Sequence, residues 1–220
     1  MEFDHIFIVC QQHAPEVDPL LALGLTEGTP NRHLGQGTAN RRIFFHNAFL
    51  EFLYLVDELE AQDPMTQPTQ LYERLTASSD FSPFGICFRP QSPDEKQPSF
   101  NYFDYKPTYL PTNLSIQMVE PIKLTEPLWF FISFATRPDQ VAENKKQPLN
   151  HALGLKEITQ IDLYAPTPFE YLSVESQKIF NTTQLKYDYA AEHRVDIHFD
   201  KATRGNSYDC RPYLPLVLYW

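Results

Sequence analysis

Phe3-Asp4-His5-Ile6-Phe7-Ile8 and Phe49-Leu50-Glu51-Phe52-Leu53-Tyr54-Leu55 are strand-like runs, and each carries an ionisable side chain among apolar neighbours. Alternate side chains of a strand share a face, so His5 is expected beside Phe3 and Phe7. Glu51 lies on an apolar face by the same argument, where a carboxylate is costly unless it is paired, hydrogen-bonded or bound to a metal. On neighbouring strands the two groups would form either half of a divalent-metal site or an ordinary histidine–glutamate hydrogen bond.

The composition favours a fold of many short strands. The 220 residues suffice for one large or two small domains. Phe occurs 17 times and Tyr 12 times, whereas Pro occurs 19 times and Gly only 7 times. Frequent proline among abundant aromatic residues is typical of strands separated by proline-containing turns, and it argues against a helical bundle.

The charge and the cysteines exclude several kinds of protein. A formal net charge of -10 repels a phosphate backbone, so neither nucleic acid nor an anionic membrane surface is expected as a partner. Three widely spaced cysteines argue against a disulfide framework and against a cysteine-based zinc site. The most apolar run, residues 127–135, is too short to cross a bilayer, and the first residues lack a signal-peptide pattern. We therefore expect a cytoplasmic protein.

The predicted elements repeat in order along the chain. The first unit has the order β-α-β-β-β, with a helix at residues 15–23 and a closing strand at residues 48–56. The second unit opens at residues 84–88 and has a polar loop, residues 91–99, in the helix position. The third unit has a helix at residues 168–179. The remaining predicted elements are strands at residues 3–10, 43–45, 100–105, 114–119, 128–134, 157–164, 183–187, 194–199 and 213–219, and a helix near residues 69–77.

The first 60 residues resemble a known superfamily. The resemblance rests on Asp4-His5-Ile6, Glu27-Gly28, residues 33–42, Phe44-Phe45 and Leu50-Glu51-Phe52-Leu53. These motifs are similar to those of the vicinal oxygen chelate superfamily, which includes glyoxalase I, extradiol dioxygenases and bleomycin-resistance proteins, and they are closest to its glyoxalase-like branch. The resemblance implies an α+β fold in which paired β-α-β-β-β units curl a mixed sheet around a cup. We expect this pair in residues 1–135, a linker in residues 136–150 and an additional unit in residues 151–220.

The resemblance also implies a divalent metal (Mn, Fe, Ni or Zn) at the floor of the cup, held by the first and last strands of each unit, and no nucleotide cofactor. His5 matches the first-strand ligand of the first unit, and Glu51 matches its last-strand ligand. The second unit departs from this pattern. Its aligned positions are Gly85 or Ile86 in the opening strand and Phe130 in the closing strand, while the third unit would offer Gln160 and Pro215. None of these restores a histidine–glutamate set.

Residues 33–42, His33-Leu34-Gly35-Gln36-Gly37-Thr38-Ala39-Asn40-Arg41-Arg42, are the second candidate site. We select five of them as candidate ligand-binding residues: His33, Thr38, Asn40, Arg41 and Arg42. The two arginines leave on opposite faces of a strand, so only one can enter the cup, where it would suit a carboxylate, phosphate or enolate oxygen. Alternatively, the loop is bonded to itself and the arginines pair surface carboxylates. The glycine spacing excludes a Walker loop and a dinucleotide fingerprint.

Three functions remain compatible with these residues. In the first, His5 and Glu51 are catalytic and hold a metal for isomerase, lyase or dioxygenase chemistry on a small molecule. Glu51 could instead act as a general base, because an apolar setting raises the pKa of a carboxyl group. In the second, the cup binds a small molecule without metal, as bleomycin-resistance proteins do. In the third, the chain is a non-catalytic interaction module. A lone third unit leaves a sheet edge exposed, which favours pairing within the chain or a homodimer.

Overall fold

The computed structural model describes residues 1–76 and 80–220, which form two mixed β-sheets and four short α-helices. The strands are β1 Glu2–Val9, β2 Asn31–His33, β3 Thr38–Phe44, β4 Phe49–Leu55, β5 Phe84–Arg89, β6 Tyr102–Tyr105, β7 Ile116–Val119, β8 Leu128–Phe131, β9 Ile158–Ala165, β10 Lys186–Tyr189, β11 Arg194–Phe199, β12 Ser207–Asp209 and β13 Leu216–Tyr219. The helices are α1 Asp18–Leu23, α2 Glu58–Ala61, α3 Leu71–Thr76 and α4 Val174–Thr182. No helix in the described part of the chain is both long and apolar enough to cross a membrane.

The first sheet confirms the predicted pairing of two units. Its strand order is β2-β3-β4-β1-β5-β8-β7-β6, with β1 and β5 antiparallel at the centre. Within each half the opening strand pairs in parallel with the closing strand, β1 with β4 and β5 with β8. The two halves therefore have the same strand order outward from the centre, and the curled sheet encloses a cup on one face.

The boundaries of some elements differ from the predictions. At these places side-chain hydrogen bonds to the backbone, rather than the spacing of apolar residues, accompany the observed conformation. The predicted polar stretch contains the short strand β2, which pairs with β3 because the Asn31 amide donates to the Asn40 side-chain oxygen at 2.8 Å. The connector carries a second helix, α2, whose first turn is capped by the Asp57 carboxylate. Helix α3 agrees with the predicted helix at 69–77, of which residue 77 lies outside the described residues.

The second sheet has the order β10-β9-β11-β13-β12 and one strand, β12, more than predicted. Its closing strand β13 pairs in parallel with β11, whereas β4 pairs in parallel with the opening strand β1 of the first unit. The closing strands β4 and β13 therefore occupy different positions in their sheets. The predicted helix at 168–179 is divided into a short 3-10 turn, Phe169–Tyr171, and α4, which begins where the Ser173 side chain accepts a bond from the Ser176 amide.

The outer face of the first sheet is the main core. Trp129 on β8 packs edge-on against Phe180 of α4, with ring centroids 5.3 Å apart. Phe45 packs against Phe199 of β11 at 4.5 Å. Burial of large aromatic side chains is a strong driving force for association of the two layers. Because α4 and the second sheet cover this outer face, the inner face remains free to form the cup.

The predicted boundaries at 1–135, 136–150 and 151–220 remain predictions. Residues 136–150 run along the first unit rather than away from it. The Thr29 amide donates to the Gln147 side chain at 2.9 Å, and the Thr26 hydroxyl donates to the Asn150 carbonyl at 3.0 Å. A segment held by such contacts is ordered against its neighbour rather than acting as a free tether.

Gly85 is expected to tolerate no side chain, because a Cβ atom there would lie 2.0 Å from the Phe7 ring, far inside contact distance. Over-packing of this kind costs about 1–3 kcal/mol. We expect Gly85→Ala to lower the free energy of unfolding by an amount in this range, measured by urea denaturation. In the double variant with Phe7→Leu the loss should be smaller than the sum of the two single losses. Simple additivity would contradict the proposed contact.

Glu126 is expected to hold α4 against the first sheet. Its buried carboxylate accepts bonds from the Ser173 amide at 2.7 Å and from the Ser173 and Ser176 hydroxyls. Glu126→Gln places an amide donor among these donors, so the free energy of unfolding should fall by about 1–3 kcal/mol in urea denaturation. The matched control is Glu120→Gln on the exposed side of the same loop. Equal stability of the two variants would contradict the role of Glu126.

Candidate functional site

The inner face of the first sheet encloses a cavity of about 340 Å³, and both units contribute to its wall. The polar lining comes from the first unit: His5, Asn31, His33, Gln36, Asn40, Arg42 and Glu51. The second unit contributes Tyr105 and Tyr109 as its polar members. Its other lining side chains are apolar: Leu110, Ile116, Met118, Leu128, Phe130, Ile132 and Phe134. We call the first-unit side, which also includes Phe7, Phe49 and Leu53, the polar wall, and the mainly apolar second-unit side the apolar wall.

His5 and Glu51 meet at the floor of the cup. Strands β1 and β4 pair in parallel with His5 beside Phe49, so the next cup-facing pair brings Phe7 beside Glu51. The His5 Nε2 atom lies 3.4 Å from a Glu51 carboxylate oxygen. The imidazole stacks on the Phe49 ring, with centroids 4.2 Å apart and planes inclined by 19°. Aromatic stacking on one side and the carboxylate at its edge fix the orientation of the His5 ring.

Asp4 completes this group, because a bulge in β1 interrupts the strict alternation expected of this strand. The β1–β5 register shifts between Phe3 and His5, so Phe3 pairs with Phe88 while His5 pairs with Cys87. This bulge turns Phe3 to the opposite face, and the expectation that Phe3 lies beside His5 is wrong. The Asp4 carboxylate instead contacts His5 Nδ1 at 2.7 Å. Alternation in a strand cannot reveal a bulge, which depends on the partner strand.

Arg89 of β5 neutralises the Asp4 carboxylate from behind. Its Nη1 donates to Asp4 Oδ1 at 3.0 Å, and its Nη2 donates to the Asn47 carbonyl at 2.8 Å. A buried carboxylate is tolerated when charged and polar donors surround it. Sequence reasoning missed Arg89, since its only signal is a charged residue at the end of an apolar strand, where most charges are solvated.

The charge states of His5 and Glu51 are set by each other. Burial alone would lower the pKa of the His5 imidazole, but the neighbouring Cys87, Asp4 and Glu51 raise it well above its usual value. Burial alone would raise the pKa of Glu51, but the His5 contact and the Asn40 amide lower it to about 2. The Asn40 Nδ2 atom donates to Glu51 Oε1 at 2.6 Å. The floor therefore holds an imidazolium beside an ionised carboxylate.

The expectation of a raised pKa for Glu51 is wrong, and a role for Glu51 as general base stays a prediction without that support. That expectation considered burial and omitted the cation and the amide that the fold places against the carboxylate. A carboxylate with a pKa near 2 has little affinity for a proton near neutral pH, so it serves poorly as a base.

Three of the five candidate ligand-binding residues in 33–42 line the cup. Asn40 supports Glu51, and Arg42 and His33 line the wall. Thr38 is fully buried and bonds to His33 Nδ1 at 2.8 Å, so it supports the wall without lining it. Arg41 points to the opposite face, where it pairs with Asp18 and Glu27 at 2.7 Å each. The candidate ligand-binding role of Arg41 therefore finds no support in its position.

The second half of the cup carries no donor at the positions that match His5 and Glu51. Gly85 pairs with Leu128 as His5 pairs with Phe49, so Phe130 stands where Glu51 stands in the first half. Neither Gly85 nor Phe130 can ligate a metal through its side chain. The residues present therefore do not fit the four-ligand metal centre that the resemblance implies.

A different group of three potential donors lies beside the floor. One atom each of Asp4, His5 and Cys87 lies within 4.8 Å of the others, close enough to hold an ion. Asp4 and His5 already share a hydrogen bond of 2.7 Å. Burial raises the pKa of the Cys87 thiol to about 11, so an ion bound there would have to displace the thiol proton. The chemistry of this group favours a buried hydrogen-bonded cluster over a metal centre.

Comparison with known proteins identifies the family. No curated protein resembles this chain closely enough to be a relative. Among solved structures, a hypothetical protein from Staphylococcus aureus is similar, with a TM-score of 0.55 at 11% identity over 99% of this chain and 98% of the other. At this identity the similarity concerns the fold alone. The family model of the glyoxalase-like domain matches residues 3–173, which is most of the chain. Together with the paired units around the cup, this match shows that the chain belongs to the glyoxalase-like domain family.

Proposed function

We propose that this protein binds an amphipathic small molecule in the cup without a metal ion. The observation that carries the proposal is the division of the cup into a polar wall from the first unit and an apolar wall from the second. A cavity of about 340 Å³ lies within the range of small-molecule sites, roughly 300–1,000 Å³. A ligand with one polar end and one apolar body would satisfy both walls at once.

The charge pair at the floor supports a metal-free site. A metal would need the lone pair of His5 Nε2, so an ion there would have to displace the contact between this nitrogen and Glu51, 3.4 Å away. The carboxylate is already held by two donors, His5 and Asn40. An ion bound here would replace the contacts of Glu51 with His5 and Asn40. It would gain only two protein ligands, which is few for a transition metal.

A metal-dependent enzyme is the second candidate, and one observation favours it. Histidines that bind metals usually bond their other ring nitrogen to a carboxylate, as His5 Nδ1 does to Asp4 at 2.7 Å. Under this function the added ion would replace the Nε2 proton between His5 and Glu51, and the variants His5→Ala and Glu51→Ala would each fail to bind the ion. Metal dependence of ligand binding separates the two candidates.

The binding proposal predicts that N-phenyl-1-naphthylamine, a neutral fluorophore, binds one to one with enhanced fluorescence. Phe130→Ala should weaken binding at least about tenfold, because the central ring of the apolar wall is lost. The matched control is Tyr213→Ala, an exposed aromatic residue outside the cup, which should bind as the wild type does. Circular dichroism at the assay temperature checks that each variant is folded.

Excess EDTA should leave this fluorophore affinity unchanged. Loss of binding in EDTA, with recovery on addition of Mn²⁺, Fe²⁺, Ni²⁺ or Zn²⁺, would overturn the metal-free proposal in favour of the second candidate. Absence of fluorophore binding to the wild type would contradict a small-molecule cup altogether and favour the interaction module.

The ion pair at the floor gives a distinct pH signature. Because the pKa of Glu51 lies below its usual 4.5, its contribution to stability is present above that pH and is lost as pH falls toward 2. Because the pKa of His5 lies above its usual 6.5, its contribution is present below that pH and is lost as pH rises through the raised value. Stability contributed by the pair is therefore greatest between these two usual values.

Glu51→Gln should lower the pKa of His5, since the variant removes one of the two carboxylates that favour the imidazolium. NMR titration of the His5 ring carbon resonance measures this directly, and we expect a downward shift of about one pH unit or more. Glu58→Gln, on the exposed surface, serves as the control. An unchanged His5 titration in Glu51→Gln would refute the ion pair.

A further inference from the structure

We propose that the ligand carries a carboxylate, which binds to the Arg42 guanidinium on the polar wall with His33 as the neighbouring donor. This inference rests on the proposed function and names the chemical class of the ligand. It follows from Arg42, a cup-lining cation that pairs with no carboxylate in the described part of the chain, and from a hydrogen-bond chain that turns a second donor toward the cavity.

Arg42 is held in place by hydrogen bonds, and Glu51 acts on its charge from a distance without forming a direct ion pair with it. Its Nε and Nη2 atoms donate to the Thr29 carbonyl at 2.9 and 2.7 Å, and its guanidinium lies 5.1 Å from the Phe44 ring centroid. Within residues 1–76 and 80–220, no carboxylate lies within ion-pairing distance of it. Its cross-strand neighbour Glu51 is directed to His5 and Asn40 instead. Two donor positions on Nη1 thus remain for a ligand.

The charged groups around the floor pair with one another, Arg89 with Glu2 as well as with Asp4, and none of them forms an ion pair with Arg42. Glu51 faces the His5 imidazolium, and Asp4 faces Arg89 at 3.0 Å. The adjacent Arg41 pairs with two carboxylates on the outer face, so the fold compensates one arginine of the pair and not the other. A cation in a chain of net charge -10 finds acidic partners readily, and a guanidinium that has none beside a cavity is suited to an anionic ligand.

A chain of hydrogen bonds fixes which proton His33 presents. The Tyr105 and Tyr109 hydroxyls both donate to Gln36 Oε1, at 3.2 and 3.1 Å. This orients the Gln36 amide so that Nε2 donates to Thr38 Oγ1 at 2.8 Å. The buried Thr38 hydroxyl must donate in turn, and its acceptor is His33 Nδ1 at 2.8 Å.

The same chain makes His33 a neutral donor. Burial lowers the pKa of His33, so its ring carries one proton. With Nδ1 acting as acceptor from Thr38, that proton lies on Nε2. His33 lines the cavity, so its N–H is available to a ligand oxygen on the wall that also carries Arg42. A guanidinium and a neutral N–H donor on one wall favour a carboxylate over an amide or an amine.

Three probes of nearly equal size test this preference: indole-3-acetate, indole-3-acetamide and tryptamine. Their affinities are measured by displacement of N-phenyl-1-naphthylamine and by isothermal titration calorimetry at low salt. We expect the carboxylate to bind at least about tenfold more tightly than the amide, and the amine to bind most weakly. Arg42→Gln should reduce carboxylate affinity to the level of the amide and change amide affinity by less than about twofold.

Arg41→Gln is the matched control, because it removes the neighbouring arginine from the outer face and should preserve the carboxylate preference. Arg42→Lys keeps the charge and should retain part of the preference, which separates loss of the cation from loss of folding. Equal affinity for carboxylate and amide in the wild type, or a preference that persists in Arg42→Gln, would overturn the carboxylate proposal. Failure of all three probes to displace bound fluorophore would also overturn it, whereas failure of the fluorophore itself to bind would overturn the proposed function.

Discussion

Burial of the Asp4 and Glu51 carboxylates on either side of the His5 imidazole constrains the centre of the first sheet. Each carboxylate would be costly alone, and the histidine between them offsets this only because both of its ring nitrogens are engaged. That arrangement needs β1 beside β4 for Glu51 and a bulge against β5 for Asp4. Strand pairing, register and charge state at the floor of the cup therefore depend on one another.

The two halves of the sheet share a topology and differ in chemistry. The register that gives His5 and Glu51 in the first half gives Gly85 and Phe130 in the second. The Phe7 ring occupies the space that a side chain at position 85 would fill, so Gly85 allows the ring to pack against the β5 backbone. A fold that places four equivalent side chains around a cup does not oblige all four to be ligands, and function has to be argued from those present.

The second sheet contributes support rather than lining. Its helix α4 is held to the first sheet by Glu126, and its aromatic side chains cover the outer face through Phe180 and Phe199. Covering one face of the curled sheet leaves the other to enclose ligand, with rigid strands on both sides of the cup. Sites built on packed strands hold their polar groups in place without a large cost of ordering.

The sequence by itself determined the order of strands and helices in the units, the place of His5 and Glu51 in apolar strands, and the fact that only one of Arg41 and Arg42 can face the cup. These follow from the local pattern of the sequence, because successive side chains of any strand point to opposite faces. The tertiary structure alone decided the bulge that brings in Asp4, the Arg89 behind it, the lowered pKa of Glu51 and the course of the second sheet. Each of these depends on which strand lies alongside and in what register, and electrostatic energy depends on distances between residues far apart in the chain.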